Sequence, residues 1–308
     1  MNKIAASTHS LYAGKEAILT TKHGKLSSLA LPLKAAIGLN VSAIETIDTD
    51  KLGTFSGEIE RTKSARETVV LKARLGMYEI GVSLGIATEG SFGPHPVAFF
   101  IPGTEEVIGF IDENLGIEII ESHISTDTNY SGMSAKSIED LEKDNFLAKA
   151  LFPSHALIVK PQKPKSGFLK KLSSSLQGRQ AFPSIFKGIQ DTGSLREAIE
   201  LAKSESEDGI AAIETDMRAH MNPTRRRVIR KVAAQLGRRL RRLCPECSCP
   251  GWGKSDAVPG LPCELCRLPT RNILLEVYSC PKCTHKEEKE REDGLKFAYA
   301  GNCDYCNP

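Results

Sequence analysis

Long apolar runs are missing from this 308-residue sequence. The N-terminus has no apolar stretch of signal-peptide length, and no later segment contains 18 consecutive apolar residues. These absences argue against a secreted protein and against a membrane-spanning helix. We therefore expect a cytoplasmic protein that has no membrane partner.

Cysteine is absent before Cys244, although the chain contains nine cysteines. An odd number of cysteines without a secretion signal does not indicate a disulfide framework. A strong excess of charge is also missing, because the formal net charge is only +3. Any contact with nucleic acid must therefore depend on local clusters of basic residues.

The composition is that of a globular protein, with 40% hydrophobic and 26% charged residues. Strand-like and helix-like periodicities alternate over residues 1–217, which indicates an α/β domain with a mixed sheet and flanking helices. Strands are expected at residues 15–22, 41–47, 82–88, 97–101, 106–112, 116–123, 156–160 and 209–214, and helices at 26–37, 63–79, 134–149 and 194–204.

Residues 223–243 form the clearest helix of the sequence. Asn222 is a good N-cap, and Pro223 suits the first helical position. One face is an apolar stripe and the other is almost entirely arginine, and no acidic residue occurs from Met217 to Pro245. We divide the chain into an α/β domain at 1–222, this basic linking helix at 223–243, and a small β-rich zinc-ribbon module at 244–308. The α/β domain contains a mobile insertion, rich in Lys, Ser, Gly and Pro, at 161–182.

Four Cys-x-x-Cys pairs dominate the C-terminal module. Two intervening residues let both thiolates of a tight turn point at one ion, and two such turns complete a tetrahedron of sulfurs. The sequence therefore predicts two structural zinc ions, with no open coordination position for catalysis. The predicted ligands are Cys244, Cys247, Cys263, Cys266, Cys280, Cys283, Cys303 and Cys306.

The sequence gives less direct information on which Cys-x-x-Cys pairs share an ion. Residues 271–279 look like one strand, which separates the second pair from the third. Asp293-Gly294 is a hairpin signal that would return the fourth pair to the third. We therefore favour sequential pairing, first with second and third with fourth, and keep the interleaved arrangement as the alternative. Cys249 is expected to be a bystander or a substitute for Cys247, and His285 a surface residue.

Three polar clusters in the first domain could carry chemistry. Residues 20–25, at a strand-to-helix turn, expose backbone N–H groups and include Lys25 as a phosphate contact. Residues 89–96 form a Gly/Pro-rich loop after a buried strand, in which Glu89 could hold magnesium and His95 could move a proton. Alternatively, residues 20–25 form an ordinary basic turn, and Glu89 and His95 have only structural roles.

The third cluster, residues 214–225, leaves a strand and enters the basic helix. Asp216 is a candidate metal-binding carboxylate, and Arg218 and Arg225 are candidate phosphate contacts. The structural alternative is that Glu214 and Asp216 pair with these two arginines while Asn222 caps the helix. A weaker fourth cluster comprises residues 127–129, after His123.

Several strings of the chain resemble an uncharacterised bacterial protein family that has a C-terminal zinc ribbon with two double Cys-x-x-Cys sites. These strings run from His23-Gly24-Lys25 through Asp48-Thr49-Asp50 to Gly53-Thr54-Phe55, from residue 89 to 96, from 214 to 225, and over the closing residues 303–308. The resemblance covers nearly the whole chain apart from the first dozen residues and the 161–182 insertion. It names no reaction.

The order of elements is also similar to that of the inosine/xanthosine triphosphate pyrophosphatases. Thr54-Phe55, Lys72-Ala73 and Glu89-Gly90 match fragments of motifs in that superfamily. The similarity implies that Lys25 and Lys72 contact phosphate and that Glu89 lies near magnesium. The sequence departs from the family pattern in having one acid, Glu89, instead of two, and in lacking a C-terminal Ser-His-Arg string.

Two functions follow from these patterns. In the first, the α/β domain is a magnesium-dependent, hydrolase-like domain that handles a nucleotide or another phosphorylated small molecule, with Glu89, His95 and Asp216 as catalytic residues. In the second, the protein is not a catalyst and binds nucleic acid or docks to a partner through residues 225–242 and the zinc ribbon. Oligomeric state is left open by the sequence.

Overall fold

The computed structural model describes residues 10–47, 63–96, 98–164 and 184–307. Residues 48–50 and 53–55, which carry part of the family resemblance, lie outside the described residues. So do residues 165–182 of the predicted insertion and the terminal Pro308. The described part has the mixed α/β architecture that the sequence predicts, followed by a strand-rich, cysteine-rich segment.

The largest sheet has five strands in the order β2-β1-β3-β4-β5. The central strand β1 is parallel to both β2 and β3, and the chain then continues through antiparallel β4 and β5. A parallel pair needs a crossover, and helices α1 and α2 provide the crossovers here. The bounds are β1 Glu16–Thr20, α1 Leu26–Ile37, β2 Asn40–Ile44, α2 Ala65–Ile80, β3 Leu84–Pro94, β4 Pro102–Asp112 and β5 Ile117–Ser125.

The two faces of this sheet bury different helices. On one face, α2 contributes Val69, Ala73 and Met77 to a buried cluster. On the other face, α1 packs together with the long helix α6, Pro223–Arg241, whose apolar stripe is fully buried. Both faces are covered because helices flank the sheet on each side, as expected for an α/β layer architecture.

A second, four-stranded antiparallel sheet lies in the middle of the chain, in the order β6-β9-β7-β8. Its core is made with helix α5, which contributes Leu195, Ala198, Ile199 and Ala202. The bounds are β6 Gly132–Ala135, α3 Ile138–Lys143, α4 Phe146–Lys149, β7 Leu157–Pro161, β8 Phe186–Ile189, α5 Thr192–Glu205 and β9 Ala211–Thr215.

The single helix predicted over 134–149 is wrong. Residues 132–135 pair with β9 instead, and two short helices follow. Asn145 separates them because its left-handed φ of 56° cannot continue an α-helix. Residues 89–94 were also expected in a loop, but they extend β3 in a hairpin that pairs Pro94 with Pro102. The predicted strand at 97–101 is therefore a turn where it is described.

The prediction for the long helix is confirmed. Helix α6 begins at Pro223, and the Asn222 side chain accepts a hydrogen bond from the backbone N–H of Arg225. After α6, strands β10 Gly253–Pro259, β11 Ile273–Ser279 and β12 Lys286–Glu290 form a three-stranded antiparallel sheet. Across the described ranges, no helix is both long and apolar enough to cross a membrane.

Candidate functional site

The eight paired cysteines gather into two quartets, each of which could hold a metal ion. Within each quartet the four sulfurs all lie within 4.8 Å of one another. We call Cys244, Cys247, Cys280 and Cys283 the proximal quartet, and Cys263, Cys266, Cys303 and Cys306 the distal quartet. The first pair therefore joins the third and the second joins the fourth, so the sequential pairing favoured from the sequence is wrong.

The three-stranded sheet explains the interleaved pairing. Strand β10 carries the chain away from the proximal end, β11 returns it, and β12 carries it away again. Seven residues of β11 span about 23 Å, which is too far for the second and third pairs to share an ion. The expected strand after Asp293-Gly294 does not form; Ala298 instead bridges to Cys263 and brings the last pair to the distal end.

The sulfur positions fit a tetrahedral metal site better than disulfides. The Sγ–Sγ distances are 3.7 Å for Cys244–Cys283 and 3.5 Å for Cys247–Cys280. A tetrahedron with Zn–S bonds of ~2.3 Å has an edge of about 3.8 Å, whereas a disulfide bond is about 2.05 Å long. Backbone N–H groups that point at Cys263, that of Cys266 first, lower the pKa of this thiol to about 7 and favour the thiolate.

The proximal quartet is continuous with the main hydrophobic core. Cys244 and Cys280 belong to the same buried cluster as α1 and the apolar stripe of α6. Trp252 and Tyr278 join that cluster, and the backbone N–H groups of Gly251 and Trp252 donate to the Arg242 carbonyl. A metal in this quartet would therefore be fixed to the end of α6.

The distal quartet has little apolar cover. Cys263 and Cys303 are buried, but Leu265, Tyr299 and Tyr305 around them are 71%, 69% and 68% exposed. None of its cysteines belongs to a hydrophobic cluster of the described residues. With so little apolar burial, the four sulfurs and the metal ion that they could hold are therefore the main source of stability at this end of the ribbon.

Cys249 and His285 lie beside the proximal quartet without joining it. Cys249 is buried and its thiol donates weakly to the Pro250 carbonyl at 3.6 Å, and burial raises its pKa to about 11. His285 stacks on Trp252 with ring centroids 5.0 Å apart. The Cys249 sulfur lies outside the proximal group of four, which is the arrangement expected of a bystander thiol.

Charged side chains from five elements meet at the C-terminal end of β1 and form a buried charge cluster. Lys72 pairs with Glu89, and Arg225 pairs with Glu106 at 2.6 Å. Lys25 lies between these pairs and donates to the carbonyl and hydroxyl of Thr88 at 3.1 and 2.8 Å. All five charged residues, Lys25, Lys72, Glu89, Glu106 and Arg225, are more than 90% buried.

The alternation of side chains along β3 places the two ion pairs on opposite faces of the sheet. Glu89 faces α2, which carries Lys72, whereas Thr88 and Gly90 face α6, which carries Arg225. Gly90 is needed there because an added Cβ would lie 2.6 Å from the Glu106 carboxylate. The guanidinium of Arg225 also lies 4.9 Å above the Phe92 ring.

Burial changes the chemistry of Lys25. Desolvation, reinforced by the nearby Arg225, lowers its pKa to about 8. The amine is therefore still largely protonated at pH 7, and it loses its charge as the pH rises through about 8. The cluster then contains three cations against two carboxylates at neutral pH, an excess of positive charge in a low-dielectric site.

The first and third polar clusters of the sequence also meet. His23, from the turn after β1, stacks on His220 with centroids 5.4 Å apart, and Gly24 adopts a left-handed φ of 60° beside it. His220 lies in the 3₁₀ turn Ala219–Met221 that leads into α6. Burial and Arg218 lower the pKa of His220 below its ordinary value.

The other two predicted catalytic residues make contacts of their own. His95 is at the tip of the β3–β4 hairpin, six residues beyond Glu89 and roughly 20 Å along an extended strand. Its ring accepts a hydrogen bond from the Ala98 backbone at 3.1 Å. Asp216 is fully buried at the end of β9 and pairs with Arg218 at 2.6 Å. The structure therefore separates His95 from Glu89, and Arg218 engages the Asp216 carboxylate.

The structural alternative for the third cluster is correct in part. Asp216 pairs with Arg218 as that alternative expects, but Glu214 pairs with Lys160 and Arg225 pairs with Glu106. In the weaker fourth cluster, Asp127 pairs with Arg227 and Asn129 is a buried hydrogen-bond partner of Asn222.

Sequence reasoning missed Glu106 and Thr88. Glu106 is fully buried in the apolar strand β4, and a charge at a core-facing position of such a strand is the signal that could have found it. Glu89 and Glu106 do not fit the expected magnesium ion, because each carboxylate is already paired with a basic side chain. Outside the cysteine quartets, the described residues contain no cluster of three metal-binding side chains.

Comparison with known proteins gives a family without an assigned reaction. A family model described as Domain of unknown function (DUF6671) matches residues 72–308. The match includes both quartets, α6, and the strands that carry Glu89 and Glu106, while Lys25 precedes it. No curated protein and no solved structure matches the chain.

Proposed function

The chain belongs to the family described as Domain of unknown function (DUF6671), and from its structure we propose that it binds and hydrolyses a phosphorylated small molecule of the nucleotide class. The site is the buried charge cluster at the end of β1. The observation that supports this proposal is the burial of Lys25 within electrostatic range of both ion pairs, Lys72–Glu89 on one face of β3 and Arg225–Glu106 on the other.

Charge is the reason for a phosphate ligand. The cluster has one more cation than carboxylates, and burial strengthens the attraction of that excess charge for an anion.

Each charged residue has a role in this proposal. Lys25 and Arg225 hold phosphate oxygens and stabilise the charge that develops on them. Glu89, which pairs with Lys72, accepts a proton from the attacking water as the P–O bond to the leaving group breaks. Magnesium is not part of this mechanism because Glu89 and Glu106 are paired with Lys72 and Arg225.

We also propose that both quartets hold Zn²⁺ as a structural ion. Four thiolates with tetrahedral spacing are a typical donor set for zinc, and they leave no position for a substrate. Thiolate ligands persist in a reducing compartment, which supports a cytoplasmic location.

Binding is tested with zinc-loaded full-length protein and a panel of inorganic phosphate, pyrophosphate and nucleoside di- and triphosphates in isothermal titration calorimetry. Lys25→Met removes the buried cation, and Lys22→Met is the matched control because Lys22 is exposed in the same turn. We expect Lys25→Met to lose binding and Lys22→Met to keep it. Affinity should also fall as the pH rises through about 8, because Lys25 then loses its charge. No binding by the wild type, or equal binding by both variants, would refute the phosphate site.

Hydrolysis is tested separately by phosphate or pyrophosphate release. Glu89→Gln should retain ligand binding but reduce turnover by about 10²–10⁴-fold, the usual contribution of a general base. Equal product release by wild type and Glu89→Gln would reject the catalytic role. Binding without product release from either protein would leave a binding domain and reject the enzyme.

A further inference from the structure

A groove between the α/β region and the zinc ribbon is independent of the proposed phosphate site. It has a volume of about 880 Å³ and is bounded by β5, the last two turns of α6, and strands β10 and β11. Gln235, Arg238 and Arg239 of α6 line it, together with Arg242 immediately after the helix. Nothing in the function proposed above uses this groove.

The groove continues a basic stripe on the exposed face of α6. Five basic residues form the stripe, and they make no ion pair with any described residue. At 100° per residue they share one face, opposite the buried Ile229, Val232 and Leu236. They extend over 13 residues, or about 18 Å along the helix axis. The stripe consists of Arg230, Lys231, Arg238, Arg241 and Arg242.

Most of the acids in the groove are already engaged. Glu121 pairs with Arg239 at 2.7 Å, and Glu276 pairs with Lys254 at 2.7 Å. Glu118 pairs with Arg74. Asp256 and Glu292 make no ion pair with a described residue, so the groove lining is close to neutral. The excess of positive charge lies on the stripe, which reaches the groove at Arg238 and Arg242.

Gln235 supplies a second, independent observation. Its side-chain oxygen is shielded from water and has no hydrogen-bond partner among the described residues. A buried acceptor of this kind needs a donor. A phosphodiester group offers no donor, whereas a ribose 2′-hydroxyl or a base N–H does. The groove thus combines cations for phosphate with an acceptor for a neighbouring sugar or base.

We propose that the stripe and the groove together bind a nucleic-acid strand. A mononucleotide would not need cations spread over about 18 Å, so a polymer fits the stripe better. A membrane surface fits less well because the apolar residues of α6 are buried in the core and cannot enter a bilayer. The phosphate backbone lies along Arg230 to Arg242, and the strand enters the groove beside Gln235.

The salt dependence of binding gives a quantitative test. Zinc-loaded full-length protein is titrated into fluorescent 20-nucleotide RNA and DNA, as single strands and duplexes, between 50 and 200 mM salt. If five cations contact phosphates, the slope of log K against log salt should be about −4.5 for duplex DNA and about −3.5 for single strands. Absence of binding at the lowest salt would overturn the proposal.

Matched double variants assign the binding to the groove. Arg238→Gln with Arg242→Gln should weaken binding at least about tenfold and reduce the steepness of the slope by about 1.4–1.8. Lys136→Gln with Lys143→Gln is the control, because it removes the same charge from exposed positions near the second sheet. Equal effects of both pairs, or no effect of the arginine pair, would contradict the groove. Unchanged zinc content and melting temperature show that each variant is folded.

Gln235→Leu and two competitors complete the test. If Gln235 accepts from a sugar or base, Gln235→Leu should change the ratio of RNA to DNA affinity while leaving the salt slope unaltered. Polyglutamate that competes as well as RNA at equal charge would instead indicate an acidic protein partner. Stronger binding to anionic phospholipid vesicles than to RNA would indicate a membrane surface, and either result would refute a nucleic-acid site.

Discussion

The two cysteine quartets have the same ligands and the same Cys-x-x-Cys turns, but different surroundings. In the proximal quartet, Cys280 lies in one buried cluster with Trp252, Tyr278 and the apolar stripe of α6. In the distal quartet, Cys303 is as well buried, but exposed residues such as Tyr299 and Tyr305 surround it. The same coordination chemistry therefore extends an existing core at one end of the ribbon and replaces a missing core at the other.

Because the proximal quartet shares the main core, helix α6 connects it structurally to the charge cluster. Helix α6 has Arg225 in its first turn and ends three residues before Cys244. Its 19 residues span about 28 Å, and its buried face fixes it to α1. The proximal quartet thus anchors one end of the helix whose other end carries a proposed phosphate contact.

The largest expected effect comes from removing one ligand from each quartet. Cys280→Ser and Cys303→Ser are matched, since each replaces the first cysteine of the second pair in its quartet. Structural zinc contributes on the order of 10–16 kcal/mol to the folding of small domains. Because the proximal quartet shares the main core, Cys280→Ser should lower the melting temperature of the whole protein by at least about 10 °C.

Cys303→Ser should instead affect only the distal end of the ribbon. Hydrogen exchange of the amides in α1 and α6 should match the wild type, while amides near Cys263 lose protection. Each variant should retain one zinc ion per chain by elemental analysis. If the two variants destabilised α6 equally, the claim that only the proximal quartet stabilises this helix would be refuted.

An intermediate effect is expected from the aromatic residues beside the quartets. Trp252→Ala removes a buried ring that stacks on His285 and should cost about 3–5 kcal/mol. Phe297→Ala removes a ring that is 44% exposed and lies 4.1 Å under the Arg267 guanidinium, and should cost about 1 kcal/mol. Urea denaturation followed by far-ultraviolet circular dichroism measures both. A larger loss for Phe297→Ala than for Trp252→Ala would mean that the distal end buries more apolar surface than the structure shows.

The smallest effect is expected from Cys249→Ala. Cys249 is buried beside the proximal quartet but lies outside its set of sulfurs. Its loss removes only a small apolar group, so stability should fall by less than about 1 kcal/mol and zinc content should stay unchanged. A variant that binds one zinc ion instead of two would identify Cys249 as a ligand and would contradict the proximal quartet as described.

Cysteine spacing was sufficient to predict which eight cysteines gather into quartets but not which pairs meet. The Cys-x-x-Cys repeats and the strand over 271–279 are readable from sequence, yet the pairing depends on how many strands separate the turns. One strand lies between consecutive pairs, so every second pair meets. The missed strand was β10, which separates the first pair from the second, and the return strand expected after Asp293-Gly294 does not form.

Two members of the charge cluster could be predicted from the local sequence pattern alone. Lys25 and Arg225 stand at helix starts, and such positions are visible in sequence. Glu106 was missed because its role depends on a partner 119 residues away. His95 was misplaced because residues 89–94 look like a Gly/Pro-rich loop, whereas pairing with β4 makes them a strand. Tertiary pairing overrides local propensity at such positions.

Stepwise removal of metal from the full-length protein tests the central claim most directly. A chelator titration followed by native mass spectrometry and hydrogen exchange measures metal content and local stability together. We expect two zinc ions per chain, with loss of the first exposing amides around Cys263 and Cys303 while α1 and α6 stay protected. Loss of the second should then unfold the C-terminal half of α6. Protein purified without zinc, or a ribbon that keeps its protection after complete chelation, would contradict this account.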